Sequence, residues 1–94
     1  MVKHIVVYTL KEGVDKALAV QTVAEHLEPL VGKIPGLMKM EIRACFQGGM
    51  DYCLYSEFES RQALKDYAVH PLHLEAKGHF HHFIQTRIAA DFEV

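Results

Sequence analysis

The chain has 94 residues, half of them apolar, enough for one hydrophobic core and not for two. Its formal charge is −2 with the histidines neutral, and its ten lysines and arginines are scattered, so no basic stripe exists to track phosphates and nucleic acid is excluded as a partner class. No apolar run approaches the ~20 residues of a membrane helix, the apolar start lacks a small-residue cleavage site, and two cysteines are too few for a disulfide framework, so a soluble, cytoplasmic protein with no membrane partner is expected.

Residues 2–10 are β-branched and apolar on both faces, which predicts a first strand ended by Glu12-Gly13. Within it Val2, His4, Val6, Tyr8 and Leu10 share one face, apolar apart from the imidazole, and that face is expected to meet helices. A helical pattern begins at Val14 or Asp15 and carries Val20, Val23, Leu27, Leu30 and Val31 at helical spacing; Pro29 should kink or split it. Ile34-Pro35-Gly36 is the stop. Residues 37–46 and 51–58 then read as a hairpin around Gln47-Gly48-Gly49-Met50. With Cys45 opposite Cys53, the residues Met38, Met40, Ile42, Ala44 and Phe46 share a helix-facing side with Tyr52, Leu54 and Phe58. Leu37, Lys39, Glu41, Arg43, Cys45, Cys53, Tyr55 and Glu57 form the other side, mixed in character and suited to meet a second subunit. Both thiols are expected to be free, as in other cytosolic proteins, although a bridge across the hairpin is geometrically conceivable.

Ser60 is a good N-cap for a helix through Val69, and Pro71, which has no N–H to leave unsatisfied, suits the first turn of another helix toward Phe80. His70, before the proline, is pushed toward extended backbone and reads as a junction residue. Residues 86–94 alternate as a last strand. The order β-α-β-β-α-β, with each helical block in two pieces, predicts an α+β, ferredoxin-like fold: one domain over residues 1–94, a four-stranded antiparallel sheet with helices on one face. The other face then needs cover.

Seven histidines are many for this length. His79, His81 and His82 sit so close in sequence that their side chains diverge, and they read as a solvated helix end, with His26 also at the surface. His70 and His73 supply at most two ligands where zinc takes three or four, so no metal site is expected. Gly48-Gly49 sits in a hairpin turn and no Gly-rich phosphate loop exists, so no cofactor is expected. Tyr67 precedes His73 by about two helical turns, but the break at His70-Pro71 can fold the second helix back and bring phenol and imidazole together. His73 falls where the positive end of the helix dipole disfavours imidazolium, which suits a base; Tyr67 would then polarise a carbonyl or hold an enolate. The plain alternative is that Tyr67 only packs and His73 only satisfies the helix start.

Val2-Lys3-His4-Ile5-Val6, Lys11-Glu12-Gly13, Lys33-Ile34-Pro35-Gly36, Ser56-Glu57-Phe58-Glu59-Ser60, Tyr67-Ala68-Val69-His70-Pro71-Leu72-His73 and Ala89-Ala90-Asp91-Phe92, in that order, resemble the stress-responsive A/B barrel domain (Dabb) family. The resemblance implies a homodimer whose two sheets pair through their open faces into a β-barrel. The family includes plant stress-induced assemblies, many bacterial proteins of unknown role and a plant polyketide cyclase. The catalytic tyrosine and histidine of that cyclase match Tyr67 and His73, and its first-strand histidine and the histidine before proline match His4 and His70. It has another histidine where this chain has Tyr52, and aromatic pocket residues where this chain has Val23, Ala24 and Leu27. What the resemblance implies is a small dimeric pocket protein, an enzyme of cyclase or isomerase type acting without a cofactor on a small apolar or polyketide-like ligand. His4, Val6, Tyr8, Tyr52, Leu54 and His70 would line the pocket. A non-enzymatic stress-related binding or assembly protein, and more distantly a cofactor-free monooxygenase of the dimeric α+β barrel class, are the other readings.

Overall fold

A computed structural model describes residues 1–94. Strand β1 runs Val2–Leu10, with Val2, His4, Val6 and Tyr8 buried and the residues between them half-buried. That alternation follows from the two-residue period of a strand and turns the predicted face inward. Helix α1, Lys16–Leu27, starts where the Asp15 carboxylate accepts the Leu18 N–H at 3.0 Å, and buries Ala19, Val23 and Leu27. Pro29 does split the helical block: Glu28–Leu30 is a single 3-10 turn, after which Val31 leaves the core and is exposed.

Strand β2 is Leu37–Ala44 and β3 is Tyr52–Phe58. Helix α2, Arg61–Val69, is capped by the Ser60 hydroxyl, which accepts the Ala63 N–H at 3.1 Å; α3 is Pro71–Lys77, and β4 is Ile84–Glu93. The sheet order is β2-β3-β1-β4, antiparallel throughout and open at both edges, with the helices on one face. No helix is long and apolar enough to cross a membrane.

The hairpin differs from expectation in two respects. Cys53 lies opposite Arg43 and Cys45 donates its N–H to Asp51, a shift of two residues that leaves the faces as predicted but sets the thiols diagonally; both are free. A bulge between Leu37 and Lys39 then inverts the alternation at the start of β2. Leu37, expected on the outer side, is buried, and Met38, expected inside, is exposed. Ala44 and Phe46 are also exposed, the first at the end of the strand and the second in the loop beyond it.

The core lies between the sheet and the helices, around Val6, Val23, Leu27, Ile42, Tyr52, Leu54 and Phe58. Gly36 locks the loop leading into β2 onto α2: its φ is +83°, its carbonyl accepts the Glu59 N–H at 2.9 Å, and an added Cβ would sit 2.5 Å from the Ala63 Cβ. Left-handed backbone costs a non-glycine residue roughly 1–2 kcal/mol, and overpacking costs roughly 1–3 kcal/mol more. Gly36→Ala should therefore lower stability by at least ~2 kcal/mol in urea unfolding. Adding Ala63→Gly should return the steric part and leave the backbone part.

Candidate active site

β4 is the thinly covered strand. Almost every residue on it is exposed, because the helices pack chiefly over β2 and β3 and stop short of this edge. The gap is a cleft of about 950 Å³ between β1, β4, α2 and α3, within the range of roughly 300–1,000 Å³ that small-molecule sites occupy. His4, Tyr8, Leu54, Tyr67 and His73 are on its wall.

The helix break sets the central pair. His70 has φ −67° and ψ 136°, ends α2 and caps α3. Its Nδ1 accepts the Leu72 N–H at 3.1 Å, a cap made by an imidazole in place of the usual hydroxyl or carboxylate. His70 is thus the joint and not part of the cleft wall. The turn it makes brings the His73 ring over Tyr67, with centroids 4.2 Å apart and planes inclined by 36°. Tyr67 is held from below by Phe58, edge to face at 5.1 Å. Its hydroxyl is buried and has no hydrogen-bond partner. Burial pushes that phenol well above its ordinary value, with the Tyr8 hydroxyl adding to the rise, so Tyr67 stays protonated and can only be a useful donor.

His73 donates Nδ1–H to the Ala68 carbonyl at 3.3 Å, which fixes the tautomer and leaves the Nε2 lone pair free. Its pKa lies below the ordinary value of 6.5, chiefly through burial; the hydrogen bond to Ala68 opposes this, and the charges of Lys77, His4 and Arg87 reinforce it. Burial is thus the largest of these causes of its lowered pKa. Because the folded value is below the unfolded one, the unfolded chain takes up this proton first as pH falls. His73 thus contributes stability that is complete above 6.5 and is lost on the acid side as pH drops toward the folded pKa. Urea unfolding at neutral pH and about one and a half units below 6.5 should show a larger acid loss in the parent than in His73→Asn.

His4 differs from a backbone-bonded core histidine. Its Nδ1 hydrogen-bonds the Asp91 carboxylate across the β1–β4 ladder, where the two residues are in register. Phe58 meets the His4 ring edge-on at 6.2 Å, so one core phenylalanine supports both His4 and Tyr67. Tyr8 and Leu54 are where the sequence puts them, on the cleft wall. Val6 and Tyr52 are not: both are fully buried beneath it, Tyr52 stacked on Tyr8 at 4.5 Å with its own hydroxyl unpaired. The sequence reading missed Arg87 and Asp91. Both occupy the helix-facing side of β4, opposite Tyr8 and His4, a placement visible only once β4 is registered on β1. Elsewhere His26 and His79 stack at 4.0 Å between α1 and the end of α3, and no group of three or more histidine, cysteine or carboxylate side chains is arranged to hold a metal.

A model of the stress responsive A/B barrel domain matches residues 2–94. The chain belongs to this family. Among solved structures, a dimeric protein of unknown function and ferredoxin-like fold from Bacteroides fragilis has a TM-score of 0.88 and 32% identity, covering 99% of this chain and 95% of its own. A Dabb family protein with a ferredoxin-like fold from Mesorhizobium loti has a TM-score of 0.78 at 18% identity, over 99% and 95% of the two chains. A hydroxynitrile lyase from Passiflora edulis has a TM-score of 0.79 at 15% identity, over 97% and 90%. At those identities the last two show the fold alone. No curated protein matches the chain.

Proposed function

We propose that this A/B barrel domain is a homodimeric enzyme that moves a proton on a small carbonyl compound, with His73 as the base and Tyr67 as the hydrogen-bond donor. The observation that carries the reading is the packing of the Tyr67 ring, whose hydroxyl is buried without a partner, against the His73 ring, with both residues on the wall of an open cleft. A buried unpaired hydroxyl costs about 1–3 kcal/mol, and a carbonyl oxygen bound in the cleft would remove that cost. In the step, His73 Nε2 takes a proton from the carbon next to the carbonyl, and the C–H electron pair passes to the oxygen as an enolate. Tyr67 O–H donates to that oxygen as its charge grows. Return of the proton to another carbon completes an isomerisation; attack of the enolate carbon on a second carbonyl of the same molecule, with the proton delivered to the new alkoxide, completes a cyclisation. Both outcomes balance without a cofactor. A purely structural role for the histidines accounts for His70, which caps a helix; Tyr67 differs from Tyr52, the other tyrosine with a buried unpaired hydroxyl, in lining the cleft and packing on His73.

The homodimer rests on the uncovered side of the sheet. Ile5, Val7, Cys53 and Tyr55 are half-buried there and Ile88 and Phe92 are exposed, an apolar strip with no layer over it. A second sheet packed face to face covers it and closes the barrel, and the similar protein from Bacteroides fragilis is described as dimeric. Light scattering at micromolar concentration should give twice the chain mass; a stable monomer refutes the paired sheets. For the chemistry, NMR of α-deuterium loss from a neutral diketone such as benzoylacetone should show exchange faster with protein than in buffer. Binding of such carbon acids without any acceleration would reduce the domain to a binding protein.

A further inference from the structure

We propose that the cleft selects an anion: its ligand carries a carboxylate seated against Arg87 of β4 and Lys77 at the end of α3, which sets the reacting carbon beside His73. The proposal rests on the reading of this cleft as a ligand site. Six charged side chains line it, namely Arg61, Lys65, Lys77, Arg87, Asp91 and Glu93. Both carboxylates are already engaged, Asp91 by the His4 ring and Glu93 by Arg61 at 2.9 Å. Arg43, away from the cleft, also has a carboxylate partner in Glu28. Lys65, Lys77 and Arg87 form no ion pair. In a chain with net charge −2, the cleft wall thus carries four cations against two carboxylates, and three of those cations have no carboxylate partner.

Position separates the three cations. Arg87 is registered opposite Tyr8 on the helix-facing side of β4, and its guanidinium stands close enough to the Tyr8 hydroxyl to favour the phenolate, though burial still holds that phenol above its ordinary value. Lys77 follows His73 by one turn of α3, Arg87 lines the cleft with it, and both charges lower the His73 pKa, whereas Lys65 is on α2. An anion between them is therefore next to the proposed base. A guanidinium presents a planar fork that matches a carboxylate, and partly enclosed walls focus the field of both cations on the space between them. The same charges stabilise the enolate that proton removal creates, so ground-state recognition and the chemical step use one electrostatic arrangement.

Cinnamate and its neutral amide, cinnamamide, are a matched pair of probes, titrated into the protein at low salt while the histidine ring resonances are followed by NMR. Cinnamate should bind about tenfold or more tightly than the amide, as expected for a charge-assisted hydrogen bond, and should shift the His73 ring. Arg87→Gln should erase most of that preference without weakening the amide, Arg87→Lys should keep part of it, and Lys65→Gln should leave it intact. Equal affinities in the parent overturn the anion seat and leave the cleft standing. A preference that survives Arg87→Gln, or that falls equally with Lys65→Gln, also overturns it by assigning the effect to general surface charge. Failure of both probes to move His73 overturns the seat together with the cleft reading beneath it.

Discussion

Replacing His73 by asparagine should slow α-deuterium exchange from a bound carbon acid by a factor of about 10²–10⁴, the range lost when a positioned general base is removed. Asparagine can still offer an N–H to the Ala68 carbonyl in place of Nδ1–H, so the α2–α3 junction should hold while the Nε2 lone pair disappears. The companion change, Tyr67→Phe, tests the donor and has an unusual signature. It should cost about 10²–10³ in rate, as for loss of one donor to a developing oxyanion. It should also raise stability by about 1 kcal/mol, because the hydroxyl it deletes is buried without a partner. Gain of stability with loss of activity is what a site built for an absent ligand predicts, and a packing role for the phenol does not. Tyr52→Phe is the internal control: its hydroxyl is also buried and unpaired, but lies beneath the cleft wall, so stability should rise with little change in rate. If Tyr67→Phe and Tyr52→Phe had the same effect on rate, Tyr67 would lose its assignment.

The features that could be read from sequence are those that are local or periodic. The inward face of β1 follows from alternation, the division of the first helical block follows from Pro29, and the α2–α3 break follows from what Pro71 does to His70. The Tyr67–His73 meeting was legible for the same reason, since a helix that breaks and folds back brings together groups six residues apart. What escaped depends on long-range register. Asp91 reaches His4 across 87 residues of sequence, and Arg87 gains significance only opposite Tyr8. A bulge carries no periodic signal, so the exchange of Leu37 and Met38 between the two sides of β2 could not be seen either. Face parity alone also cannot tell a residue on a cavity wall from one a layer deeper, which is why Val6 and Tyr52 were expected at the cleft surface and sit under it.

Phe58→Ala should be the most destabilising single change, at about 3–5 kcal/mol, a large share of the roughly 5–15 kcal/mol that holds a domain of this size folded. Phe58 is fully buried on β3, next to Val2 of β1 and Leu37 of β2, so the cavity would open where three strands meet and cannot easily collapse. Its ring also fixes the site, meeting His4 at 6.2 Å and Tyr67 at 5.1 Å, both edge-on. Phe58→Leu keeps most of the volume and loses the aromatic contacts, each worth roughly 0.5–1.5 kcal/mol, so its stability loss should be well below that of alanine. The two variants separate packing from positioning when exchange rates are compared at a temperature where circular dichroism shows each fully folded. A misplacement of about 1 Å at the reacting groups can cost on the order of 100-fold, so Phe58→Leu should lose rate out of proportion to its loss of stability. A folded Phe58→Leu protein with the parent's rate would mean that Tyr67 and His4 hold their places without this ring, and that the site is stiffened by the helix junction and the His4–Asp91 pair instead.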